Sequence, residues 1–165
     1  LYCEDMTHYN MRSASLRYAN LRSQELAGRD MRLSVLSFAD LCSADLRGAD
    51  LRDCVFTNAN LERADLRGAN LRGANLLGAK LDGVNLTGAD LRGARLQRAS
   101  LREAICANMD ARGADFAGAT LVWADMTSAD LRGADLSRTN MQHATVTGAK
   151  LDKADLTGAI LPQQA

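Results

Sequence analysis

The most constraining feature of this sequence is a period of five residues that runs from Leu1 to Leu161 without an insertion or a deletion. Of the 33 sites spaced five apart from Leu1, 23 hold leucine and five hold methionine. Alanine stands two positions before 23 of these sites, and all 13 glycines stand two positions after one of them. The repeated unit reads Ala, Asp or Asn, Leu, often Arg, often Gly. We call these five sites the small, Asx, central, Arg and corner positions.

A period of five matches neither the 3.6-residue repeat of a helix nor the two-residue alternation of a flat strand. Frequent glycines further disfavour an array of helices. A solenoid whose wall turns once per unit fits the pattern, because small and central residues, two apart in an extended segment, share the inward face. Glycine and Asp or Asn then occupy the turns. The sequence therefore predicts a narrow interior of alanine and leucine, which explains why only 4% of the residues are aromatic.

Runs such as ADLRG, ANLRG and ANLRGANLLGA resemble the pentapeptide repeat proteins, whose motif is A-(D/N)-L-X-X, and the resemblance covers essentially the whole chain. It implies an all-β fold, a right-handed quadrilateral parallel β-helix with four units in each coil. About eight coils would form a rod roughly 40 Å long. We expect a single domain over residues 1–165, with less regular N-terminal coils or a cap over 1–35 and the C-terminal end over 160–165.

The inward positions contain two kinds of exception. Near the start, the small position holds larger or polar residues: Glu4, Tyr9, Gln24, Arg29 and Ser34. An arginine cannot simply be buried in an apolar core, so this region is interpreted as a loosened or capped end, with a partner groove as the alternative. At Met109 and Ala111 the large and small residues exchange places, which keeps the interior volume nearly constant. Phe56 and Phe116 at central positions are expected to be core residues.

The residues that could carry chemistry are few. The cysteines are Cys3, Cys42, Cys54 and Cys106, and the histidines are His8 and His143. Cys54 and Cys106 should point inward, whereas Cys3 and Cys42 should point outward about 10 Å apart, beyond disulfide reach. No C-x-x-C pair is present. We expect no enzymatic activity, no metal, no cofactor, and reduced thiols in a cytoplasmic protein.

Apolar runs are only a few residues long, so no membrane span is expected. Because the chain begins at Leu1, we also expect that it comes from a longer or processed protein.

Charges balance over the chain, with 20 basic and 20 acidic residues, but they are unevenly placed around a 20-residue coil. One face carries an Arg column: Arg12, Arg32, Arg52, Arg72, Arg92, Arg112 and Arg132. Asp or Asn precedes each of these arginines by two residues, so the column is interpreted as a surface ion-pair lattice, with an anionic partner as the alternative. Another face carries a broken acidic row: Asp5, Glu25, Asp45, Asp65 and Asp125.

Outward apolar residues point most directly to a contact surface, because exposed apolar clusters usually mark interactions. An apolar patch is expected on one face in its first four coils: Tyr18, Val35, Phe38, Val55 and Leu77. Tyr18 should stack on Phe38, and Val35 on Val55. A smaller group is Val122 and Trp123, and tryptophan is a favoured interface anchor. A docked terminal segment or end-to-end packing is the structural alternative for the patch.

Three functions remain open, in this order. The first is a non-catalytic scaffold that binds a protein partner through its flat faces. The second comes from the family resemblance, since some pentapeptide repeat proteins mimic B-form DNA and protect DNA gyrase from quinolones. This chain departs from those members because it is neutral, lacks loop insertions and shows no helical dimerisation tail. The third is nucleic-acid binding by the Arg column, which the neighbouring Asp residues disfavour. An end-to-end homodimer is also open.

Overall fold

The computed structural model describes residues 10–163; Cys3, Glu4, Asp5, His8 and Tyr9, named above, lie outside this range. Each five-residue unit forms a two-residue turn at its Arg and corner positions and a single bridge residue at its Asx position. The bridge residues recur every five residues from Ser15 to Ile160. Residues 10–163 contain no helix and no strand longer than one bridge residue, so the chain is a solenoid of turns and β-bridges.

The bridges join residues 20 apart in parallel, which defines the coil. They form four ladders, one for each face, for example Ser15 with Val35 and Asp50 with Asn70. The Asx-position N–H of Asp50 donates to the carbonyl of Arg29 in the preceding coil at 2.8 Å. The central N–H of Leu51 donates to Asn70 in the following coil at 2.8 Å. Each coil is thus hydrogen-bonded on both sides, and residues 20 apart lie on the same face.

The Asx position has a backbone reason to be Asp or Asn. Within residues 10–163, the N–H at the Arg position donates to no backbone carbonyl. The preceding Asx side chain accepts it instead: Glu62 N–H lies 3.0 Å from Asn60 Oδ1, and Ser137 N–H lies 2.8 Å from Asp135 Oδ1. This is an Asx turn, in which a short side chain replaces a missing backbone acceptor.

Replacing Asp135 separates this capping role from charge, because its carboxylate has no ion pair among residues 10–163. Asp135→Ala is expected to lower the free energy of unfolding by about 1–2 kcal/mol, since the Ser137 N–H loses its acceptor. Asp135→Asn keeps an acceptor oxygen and should change it by no more than about 0.5 kcal/mol. Urea denaturation followed by circular dichroism measures both. Equal losses in the two variants would show that charge, not capping, is what matters there.

The corner positions share one backbone conformation. Every corner residue from Ser13 to Gly158 has a positive φ, between 55° and 70°. The N–H three residues after each central residue closes the turn onto that residue's carbonyl, as in Cys54 to Leu51 at 3.2 Å, which is the type II pattern. An added Cβ would meet the side-chain end of Asp53 at Gly73 and that of Asn58 at Gly78, both from the previous coil, so those side chains would have to shift. Non-glycine residues adopt the left-handed conformation at 17 of the 30 corner positions from Ser13 to Gly158.

The core is the narrow interior that the period predicts. The central Phe56 and Phe116 are fully buried, as are Met109 and Ala111, the pair that exchanges large and small residues. Arg29, by contrast, is only half-buried at its small position. The charged residue thus keeps access to solvent. The polar residues Ser34 and Thr139 are fully buried at small positions, where their hydroxyls donate to the carbonyls of Met31 and Leu136.

The C-terminal end of the described range leaves part of the core uncovered. The central residues Val146, Leu151 and Leu156 are half-buried, and Leu161 is 51% exposed.

No helix among residues 10–163 has the length and apolar character needed to cross a membrane.

Candidate interaction surfaces

The apolar patch begins with two stacked aromatic rings. Tyr18 and Phe38 occupy corner positions 20 residues apart, and their ring centroids lie 5.2 Å from each other at an interplanar angle of 9°. The stacking predicted from their spacing is confirmed. Tyr18 is 71% exposed and Phe38 46% exposed, so solvent reaches much of both side chains. Two large aromatic surfaces are therefore presented outward on a rigid backbone.

Aliphatic residues continue the apolar patch beside these rings. Val35 and Val55 form a parallel bridge, as their spacing predicts, and both are half-buried. Leu77 on the same face is also half-buried. Sequence reasoning missed Leu33, which is 50% exposed at the preceding corner. The signal was available, because Leu33 is one of only two leucines outside the central positions.

The second apolar group includes a partner that the sequence did not reveal. Trp123 is 60% exposed, and its ring stacks on His143 one coil further along, at 4.2 Å between centroids and 15° between planes. Val122 is half-buried beside it. Ile105, 43% exposed at an Asx position on another face, was also missed; its signal was an aliphatic residue where Asp or Asn is usual.

Five arginines of the Arg column form ion pairs with the aspartates two residues before them. In Arg52, Nε donates to Asp50 Oδ1 at 2.8 Å and an Nη donates to Oδ2 at 2.6 Å. The hydrogen bond from Arg52 holds the pKa of Asp50 below its ordinary value. The same two-bond pairing recurs in four other units of the column: Arg32–Asp30, Arg92–Asp90, Arg112–Asp110 and Arg132–Asp130. Two N–H donors of each of these guanidinium groups are therefore already bonded to an aspartate.

Arg12 and Arg72 differ from the rest of the column. Each follows an asparagine, Asn10 or Asn70, whose side chain accepts the arginine's backbone N–H but offers no charge. Neither arginine has an ion pair within residues 10–163. The column therefore does not present seven equivalent free cations.

The acidic row is also partly neutralised. Asp45 and Asp65 pair with Arg47 and Arg67 in the same two-bond geometry, with Nη to Oδ2 distances of 2.7 and 2.6 Å. Asp125 accepts the N–H and hydroxyl of Thr127. Asp5 lies outside the described residues, and Glu25 is exposed. The row is therefore not a continuous run of free carboxylates.

The described thiols are free and buried. Cys54 and Cys106 point inward as predicted, and burial raises the pKa of Cys106 to about 12 and that of Cys54 in the same direction. Cys42 points outward as expected, since it lines a surface pocket, but it is only 9% exposed. It lies at an Arg position between Arg22 and Glu62, whose longer side chains line the same surface pocket. Among residues 10–163, no cluster of His, Cys, Asp and Glu could hold a metal ion.

The repeat geometry agrees with a family comparison. A family model described as pentapeptide repeats matches eight copies over residues 25–58, 34–73, 59–98, 94–133 and 121–158. The chain belongs to the pentapeptide repeat family. This membership confirms the resemblance drawn from the A-(D/N)-L motif, and it assigns the ladders and turns described above to a pentapeptide repeat solenoid.

Solved pentapeptide repeat structures resemble this chain. HetL from the cyanobacterium Nostoc sp. strain PCC 7120, a protein involved in heterocyst differentiation regulation, is 30% identical with a TM-score of 0.53; the match covers 93% of this chain and 85% of HetL. Full-length QnrB1, a plasmid-mediated fluoroquinolone resistance protein, is 21% identical with a TM-score of 0.56, covering 88% and 90% of the two chains. That second likeness shows the fold alone. No curated protein sequence matches the chain.

Proposed function

We propose that this pentapeptide repeat protein is a non-catalytic scaffold that binds a partner protein through the face carrying the apolar patch. The observation that carries the proposal is the exposed stack of Tyr18 on Phe38. Aromatic side chains are favoured interface anchors, and exposed apolar clusters on soluble proteins commonly mark contact sites. Val122 and Trp123 supply a second, smaller contact on the next face of the solenoid.

The family supports the same interpretation. HetL, at 30% identity, takes part in regulation, a role that protein contacts can serve without catalysis. In line with the family, we propose one right-handed domain of about eight coils over residues 1–165. A cytoplasmic location stays a prediction from the cysteine pattern.

The other two functions have weaker support. DNA mimicry toward gyrase is carried by the family resemblance, and the 21% identity to QnrB1 adds only the fold. Nucleic-acid binding by the Arg column competes with the Asp carboxylates that already accept its guanidinium donors. The scaffold function is therefore the one that the described side chains favour.

The test replaces both rings with charge. In a pull-down from cells that express the protein, Tyr18→Asp/Phe38→Asp is expected to reduce the captured partner at least about tenfold, because desolvated aromatic anchors carry most of the affinity at such contacts. Captured proteins are identified and quantified by mass spectrometry. Circular dichroism and thermal unfolding check that the variant keeps its fold.

The matched control is Ser23→Asp/Ser43→Asp. These two serines are exposed corner residues of the same coils, with the same positive φ, but they lie on the next face. The control should capture the partner as the parent chain does. Equal capture by the Tyr18/Phe38 variant, or equal loss in the serine control, would refute a specific contact at the patch.

A further inference from the structure

A polar groove lies on the same face as the apolar patch, in its C-terminal half. One bridge ladder runs through both, from Val35 and Val55 to Arg95 and Asp155. The groove has a volume of about 580 Å³ and is lined by Arg95, Gln97, Arg98 and Arg138 among others. Small residues, including Ala117 and Gly118, also line it, as do Leu77 of the apolar patch and the acidic Asp155. The face therefore changes from apolar to charged along the solenoid, where Arg95, Arg98 and Arg138 lie on the same face as the bridge residues Asp115, Asp135 and Asp155.

The three arginines of the groove are not paired as those of the Arg column are. Within residues 10–163, none of Arg95, Arg98 and Arg138 has a salt bridge. The reason is their place in the unit: Arg95 occupies an Asx position, whereas Arg98 and Arg138 occupy corners. No Asp stands two residues before any of them. Their positive charges remain available to a ligand.

The aliphatic parts of the Arg98 and Arg138 side chains lie over the next coil. Cγ of Arg98 lies 3.8 Å from where a Cβ on Gly118 would stand, and Cγ of Arg138 lies 3.6 Å from that point on Gly158. Each stem thus rests over the glycine of the next coil. With the two side chains two coils apart, their guanidinium groups are separated by about 10 Å along the solenoid axis.

Gln97 lines the groove, and its side-chain oxygen has no hydrogen-bond donor among residues 10–163. Its Nε2 donates to Asp115 Oδ2 at 2.5 Å, which fixes the orientation of the amide. Its Oε1 is buried and accepts no hydrogen bond from the residues that the structure describes. A buried polar atom without a partner is costly. Because this oxygen is closed off from solvent, Gln97 lines the groove but does not offer the acceptor to a ligand.

We propose that this groove binds an acidic peptide segment of a protein partner. Two carboxylates of the segment pair with Arg98 and Arg138. A nucleic acid fits less well, because its continuous phosphates would run beside the Asp115, Asp135 and Asp155 carboxylates of the same ladder. A peptide can place acidic residues at the arginines and neutral residues elsewhere.

The test uses a short fluorescein-labelled peptide with glutamate at every third residue, which spaces carboxylates by about 10 Å in an extended chain. Fluorescence polarisation at low ionic strength is expected to show saturable binding, and the same peptide with glutamine in place of glutamate should not bind. Arg98→Gln/Arg138→Gln should weaken binding about tenfold, the combined effect expected for two exposed ion pairs.

The control Arg63→Gln/Lys153→Gln removes the same charge from two corner residues on other faces, and Arg63 likewise packs over a glycine, Gly83. It should leave binding unchanged. An equal loss in this control, equal binding of the glutamine peptide, or no saturable binding would overturn the proposal. Tighter binding of duplex DNA with the same dependence on Arg98 and Arg138 would make the groove a phosphate site instead. None of these variants touches Tyr18 or Phe38, so this proposal and the proposed function can fail separately.

Discussion

Replacing Phe116 with alanine is expected to lower the free energy of unfolding by about 3–5 kcal/mol. Phe116 is fully buried, and Leu96 and Leu136 occupy the equivalent central positions one coil before and after it. Both neighbours are fixed by backbone hydrogen bonds to adjacent coils, so they cannot move far enough to fill the space that the ring leaves. Guanidinium chloride denaturation followed by far-UV circular dichroism measures the change.

Phe116→Leu provides the matched comparison, because leucine is the usual residue at central positions. It leaves a smaller cavity and should cost less than about 1.5 kcal/mol. The denaturant m-value must be read with each midpoint, since a solenoid held by neighbouring contacts can unfold in part. A loss in Phe116→Ala no greater than that in Phe116→Leu, at an unchanged m-value, would show that the interior relaxes around the missing ring.

Acid is expected to destabilise the whole solenoid between about pH 4 and pH 2. Hydrogen bonds from arginine lower the pKa values of the lattice carboxylates in the folded chain, and that of Asp130 falls to about 2. The others whose pKa is lowered in this way are Asp30, Asp45, Asp50, Asp65, Asp90 and Asp110. A lowered pKa in the folded state stabilises it above the unfolded value of 3.8. That contribution is lost as pH falls through the folded pKa.

Thermal unfolding at a series of pH values measures this effect, and Tm should be nearly constant near neutrality before falling steeply in acid. Asp130→Asn keeps the backbone cap but cannot titrate, so its Tm should start slightly lower and fall less on acidification. Added salt should reduce the contribution of these exposed pairs at neutral pH. A Tm that is the same at pH 5 and pH 2 would contradict a stabilising lattice.

The sequence could predict every feature that depends on backbone repetition alone. A period of five without a slip placed Cys54 and Cys106 inside, stacked Tyr18 on Phe38, and paired Val35 with Val55. These outcomes follow because residues 20 apart share a column whatever their type.

Features that depend on side-chain direction could not be predicted in this way. The burial of Cys42 depends on where its longer column neighbours lie. Among residues 10–163, Arg12 and Arg72 occupy the Arg position and form no ion pair, whereas Arg22, at the same position and also two residues after an asparagine, reaches Asp40 of the next coil. That the Asx side chain accepts a backbone N–H could be recognised only from the hydrogen-bond geometry. The unpaired arginines at Arg98 and Arg138 nevertheless had a signal, since both replace glycine at corners.

The four-unit coil separates what the core requires from what the surface presents. Because every unit has the same backbone form, losing five residues would leave the interior continuous while turning all later residues onto the neighbouring face. A loss between Leu77 and Arg95 would therefore move Arg95, Arg98 and Arg138 away from the apolar patch and would separate them from Leu77, which also lines the groove. Only a change of 20 residues, a whole coil, would keep the two surfaces on one side. A change in the number of five-residue units thus alters which surfaces share a face while leaving the form of the interior the same.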